Sequence, residues 1–126
     1  MRKTLLASLL ALPLVSACEV LLVSGAAVVL SQEFIDNARV AYLQEESEMV
    51  WLNVRSSLSH MSLEPIHVDN DLRAAKANID GAQVTVHVET FDVGESQLSV
   101  AAKKLGLYNG QVAEDVLSRL RNDIEQ

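Results

Sequence analysis

Three histidines, one cysteine and a short acidic run carry the side chains of this chain best suited to chemistry. His67 and His87 fall in extended segments, whereas His60 sits late in a helical repeat. With Lys76 and Thr85, His67 and His87 are expected on one face of a sheet, where they could hold a small ligand. A shared metal ion is not expected there. Neighbouring strands lie about 4.8 Å apart, so an intervening strand sets the imidazoles roughly 10 Å apart, against Zn–N bonds of about 2 Å. Asp69 and Asp71 flank Asn70 without the ligand spacing of a calcium-binding EF-hand loop, and read as a solvated turn. There is no Gly-x-Ser-x-Gly elbow and no glycine-rich phosphate loop. The sequence therefore assigns no catalytic residue, no metal ligand and no cofactor.

Cys18 is the single cysteine, and its setting is more specific. Arg2 and Lys3 give a basic start, and Thr4 to Val15 is almost continuously apolar. About a dozen apolar residues are too few to cross a bilayer, which needs roughly 20. Small residues, Ser16 and Ala17, follow. This is the form of a secretory signal, with small residues at the cut. Val15-Ser16-Ala17-Cys18 resembles the lipobox of bacterial lipoproteins. That resemblance implies a Cys18 sulfur joined to diacylglycerol, a cut between Ala17 and Cys18 and an acylated new amino end, since several acyl chains are needed for stable anchoring. The implied partner is the lipid bilayer, with the chain facing the periplasm of a bacterial envelope. Glu19 leaves the choice of inner or outer membrane open. The alternatives are a cleaved signal with a free Cys18 thiol, and an uncleaved anchor running from Thr4 to Leu30.

Of the 126 residues, 109 remain after such a cut, enough for one small domain. The whole chain carries a net charge of −7. Losing Arg2 and Lys3 leaves eight basic residues against 17 acidic ones, a charge of −9. Such a chain lacks the basic patch that nucleic-acid phosphates require. It is also repelled by anionic headgroups, so lipid rather than charge must hold it to a membrane. No disulfide can form within the chain, and stability has to come from packing.

The chain divides into a signal peptide (residues 1–17), a lipidated and membrane-proximal apolar segment (18–37) and a folded domain (38–126). Val20 to Leu30 is apolar but too short to span. It is expected either at the membrane interface or packed on the domain. Ser31 to Asn37 reads as a polar transition. Arg39 to Leu43 has strand composition. Val50, Trp51, Val54, Leu58 and Met61 then recur at helical spacing, with Ser47 as a candidate cap and Trp51 as a core anchor. Leu63 to Val68 predicts a second strand, with Pro65 at its start or at a sheet edge. Leu72 to Ile79 and Ala82 to Phe91 flank Asp80-Gly81, the composition of a two-residue hairpin turn. That closure pairs Ile79 with Ala82, Ala77 with Val84 and Ala75 with Val86. Gln97 to Lys103 predicts a last strand. Asn109 is placed to cap a closing helix whose apolar stripe is Ala113, Val116, Leu117, Leu120 and Ile124. Asp115 and Arg119 are spaced for an exposed ion pair on it. The fold class expected is α+β: an antiparallel sheet of four to five strands with two amphipathic helices on one face, ordered β-α-β-β-β-β-α.

The chain resembles a family of small bacterial lipoproteins known as a domain of unknown function. The shared features are the lipobox at Cys18, Gly25-Ala26-Ala27, the Val50-Trp51 helix, the Asp80-Gly81 turn, the Val84-Val86-Val88 strand and the closing helix. That family has no assigned activity, so the resemblance implies a place and a fold but no catalytic residue. Two functions are expected from these observations. One is a non-catalytic envelope lipoprotein that binds a partner protein or supports the envelope. The other is a periplasmic ligand or metal carrier using His67, Lys76, Thr85 and His87.

Overall fold

The computed structural model describes Val28 and residues 30–125. The signal peptide, the cleavage point, Cys18 and most of the apolar run after it lie outside the described residues. Helix α1 (Gln32–Asn37) leads into strand β1 (Arg39–Leu43) and helix α2 (Ser47–Met61). Strands β2 (His67–Asp69), β3 (Ala74–Ile79), β4 (Ala82–Asp92), β5 (Glu95–Lys104) and β6 (Leu107–Tyr108) follow, and helix α3 (Gly110–Glu125) closes the chain. The class is α+β, with one antiparallel sheet in the order β1-β5-β4-β3-β2. Strand β6 pairs with β5 beyond the end of β1.

Alternation fixes the two faces of the sheet. Leu43, Ala75, Ala77, Ile79, Val84, Val86, Val88, Leu98, Val100 and Ala102 point to one side and are buried. Helices α2 and α3 lie over them through Val50, Trp51, Val54 and Leu58, and through Ala113, Val116, Leu117, Leu120 and Ile124. The alanines of β3 and the short side chain of Ala102 let the helices come close. Ile79 pairs with Ala82, Ala77 with Val84 and Ala75 with Val86, the register that the two-residue turn dictates. Asp80 and Gly81 both have positive φ (53° and 78°), as a type I′ hairpin demands.

The polar ties between elements depart from local expectation. Ser47 does not cap α2: the N-cap is Glu46, which makes no side-chain cap bond. The buried Ser47 hydroxyl instead accepts from the Arg73 guanidinium and meets Thr90 Oγ1 at 2.8 Å. Trp51 is the expected core anchor, and its Nε1 donates to Asn70 Oδ1 (3.1 Å), as does Arg55 (3.0 Å). Asn109 caps α3, its Oδ1 accepting from the Val112 amide. Arg119 reaches across to Asp80 of the hairpin turn (3.8 Å) rather than along its own helix to Asp115.

Two strands start later than their composition suggests. Pro65 offers no amide donor and keeps Leu63 to Ile66 out of β2. Asp69 Oδ1 accepts from the amides of Asp71 and Leu72, and Arg73 takes a positive φ of 56°. That turn delays β3 to Ala74. Strand β5 is longer than expected, because Val93-Gly94 forms a tight turn between paired Asp92 and Glu95.

The largest departure is α1. The polar spacing of residues 31–37 reads as a connector, yet Ser31 caps a helix there, its Oγ accepting from the Phe34 amide at 3.1 Å. Phe34 is only 5% exposed. Together with the hollows that it lines over Thr85, Ala101, His87 and Ser99, this places α1 on the sheet face opposite α2 and α3.

Candidate functional site

The outer face of the sheet carries the polar residues singled out by sequence. Cross-strand register sets His67 beside Lys76 and Lys76 beside Thr85, so three of them form a row across β2, β3 and β4. His87 lies one row along β4, opposite Ala74 on one side and Ser99 on the other. His67 and His87 are thus two strands apart and out of line, the separation expected. Among the described residues, no three His, Cys, Asp or Glu side chains are close enough to hold a metal ion.

The four residues do not share one site, because α1 crosses the face between them. Phe34 is the partition. On one side lies a hollow of about 170 Å³ lined by Ser31, Glu33, Lys76, Gln83, Thr85 and Lys103. On the other lies a groove of about 290 Å³ with Leu30, Ile35, Ala38 and Val40 as walls and His87, Glu89, Gln97 and Ser99 as floor. His67 belongs to neither, and opens onto a shallow depression beside Pro65, Lys76 and Asn78. The single ligand face expected from alternation is therefore split in two. Sequence gave little warning of it: the only local sign is Ser31 three residues before Phe34.

His87, in the groove, is the best enclosed of the three histidines, its side chain 18% exposed. Burial lowers its pKa below the usual histidine value, and is only partly offset by Glu89 and by a hydrogen bond with the Leu72 backbone. Glu89 Oε1 stands 4.0 Å from Nδ1. The imidazole is thus mainly neutral at pH 7 and can both donate and accept.

Ser99, His87 and Glu89 are the residue types of a nucleophile, a base and an acid. Their geometry does not make that set work. Ser99 Oγ accepts from Gln97 (3.4 Å), and no hydrogen bond joins it to His87. The backbone of β5 is paired on both sides here, with β1 and β4. Among the described residues, the β5 backbone beside Ser99 therefore leaves no pair of free amides to stabilise an oxyanion. Among the described residues, the side-chain hydrogen-bond partners of Ser47 are Arg73 and Thr90, neither of them a base. What the groove offers is apolar walls over a hydrogen-bonding floor, suited to binding.

The groove opens towards exposed apolar side chains. Ile35 (58% exposed), Val40 (42%), Tyr42 (59%) and Phe91 (56%) lie along the β1 side of the outer face. Tyr42 and Phe91 are in contact, with ring centroids 4.7 Å apart and planes tilted by 56°. Among the described residues, no helix is long and apolar enough to cross a membrane. No known protein family, curated protein or solved structure matches this chain.

Proposed function

We propose that the chain is a bacterial envelope lipoprotein, tethered through acylated Cys18, whose α+β domain is a non-catalytic binding module for a partner protein. The observation that carries the anchor is the lone cysteine directly after Val15-Ser16-Ala17 at the end of a short apolar run. The patch formed by Ile35, Val40, Tyr42 and Phe91 supports the binding role, since contiguous exposed apolar surface marks contact sites. The test is the intact mass of the protein extracted from its membranes, beside fractionation of Cys18→Ser. The expected mature chain begins at Cys18 and carries diacylglycerol, and the Cys18→Ser chain no longer partitions as an acylated protein. An intact leader or an unmodified sulfur would overturn the proposal.

A second reading, a periplasmic ligand carrier, is favoured by the groove over His87. It excludes His67, Lys76 and Thr85, which open elsewhere. A thermal shift with a small amphiphile, lost in His87→Ala, would select it over partner binding.

A further inference from the structure

We infer that β1 is a self-association edge, through which a second copy of this chain extends the sheet. The inference rests on the proposed reading of this face as a partner-binding surface, and names the partner. The two edges of the sheet differ. Strand β2 is blunt: three residues long, preceded by Pro65 and ended by Asp69, which is tied into its own turn. Short strands, prolines and charges are how sheets prevent edge-to-edge pairing. Strand β1 is five residues long with no proline, its one charge, Arg39, stands at its start, and among the described residues only β5 pairs with it. It presents Val40-Ala41-Tyr42-Leu43, with Val40 and Tyr42 exposed on the outer face.

That strand is complementary to itself. Antiparallel pairing about Ala41 sets Val40 of one copy opposite Tyr42 of the other, twice. An aromatic side chain opposite a β-branched one is a favourable cross-strand pair. Phe91 already stacks on Tyr42, and Ile35 stands beside Val40 in the groove wall, so the pairing joins two apolar patches into one. Charge does not oppose it locally. Arg39, the only charged residue of β1, is paired with Glu114 at 3.5 Å, and the facing stretch of β5 from Ser96 to Val100 is uncharged. Glu45 and Glu46 follow after Gln44, so the uncharged contact is confined to residues 40–43. A strongly basic partner strand would find no matching carboxylates along β1, whereas a second copy finds its own pattern.

The test uses the full chain in the membranes of the cells that express it. Val40→Cys is treated with a bis-maleimide of two-carbon spacer, with Leu63→Cys, fully exposed beyond α2, as the collision control. The parent chain, whose single cysteine is Cys18, sets the background. Val40 residues of paired copies are diagonal neighbours about 7 Å apart, within the linker's reach. Dimer should form about tenfold faster from Val40→Cys than from Leu63→Cys, reflecting the raised effective concentration. Adding Tyr42→Lys should reduce it to the control rate, with an unchanged thermal melt confirming the fold. Equal rates for the two single variants would overturn the inference. Adducts of Val40→Cys with some other protein would overturn it too, while leaving the partner-binding proposal standing. Failure of the anchor would show separately in the mass at Cys18.

Discussion

Replacing Phe34 with alanine asks whether α1 is part of the folded domain. Six residues make no stable helix alone, so α1 is held by its contacts with the sheet. Phe34 is the buried residue of that helix. The hollows beside it, about 170 and 290 Å³, open to solvent, so truncation leaves no sealed void. The cavity penalty of a closed core is therefore absent, and the transfer term remains, about 2 kcal/mol for a buried phenylalanine. Urea denaturation should register that loss, and a thermal melt should fall by roughly 10 °C. Hydrogen exchange gives a sharper signature. The amides of Phe34 and Ile35, bonded to Ser31 Oγ and to the Ser31 carbonyl, should lose protection while those of β4 and β5 keep theirs. Ile35→Ala, at an exposed position of the same helix, should stay within about 0.5 kcal/mol. Unchanged stability together with full protection at Ile35 in Phe34→Ala would refute the assignment of Phe34 as the fastening of α1.

Asn70→Ala removes the acceptor shared by Trp51 and Arg55 and should cost about 1–2 kcal/mol, because the indole N–H is left unpaired in a buried position. In a Trp51→Phe background the same change should cost far less, which a double-mutant cycle would read. His87 sets a pH dependence. Its pKa is lowered in the fold, so as pH falls through about 6.5 the unfolded chain takes up the proton first and stability drops. His87→Gln should flatten the melting temperature between pH 7.5 and about 5.5 relative to the parent. Gly81→Ala should cost about 1 kcal/mol from backbone strain alone, since φ is +78° and an added Cβ meets only Lys104 Cε at an ordinary 3.7 Å.

Local rules determined a good part of this protein. The Asp80-Gly81 turn set its hairpin register, because positive φ at two successive residues closes a strand pair in one way. The stripes of α2 and α3, the indole of Trp51 and the cap at Asn109 followed from helical periodicity and from unpaired first-turn amides. The class of fold was legible for the same reason. Period and turn chemistry are short-range properties, written in neighbouring residues.

Contacts between distant segments were decided only in three dimensions. Ser47 looks like a cap and serves as a buried link to Arg73 and Thr90, 26 and 43 residues away. Arg119 has a partner of the right charge on its own helix and takes Asp80 instead. Alternation placed His67, Lys76, Thr85 and His87 on one face, but could not show that Phe34 would divide it. A side chain's face is fixed by the two-residue repeat of its own strand. What covers that face depends on where another segment packs, and in this chain that segment, α1, looked polar enough to be a linker.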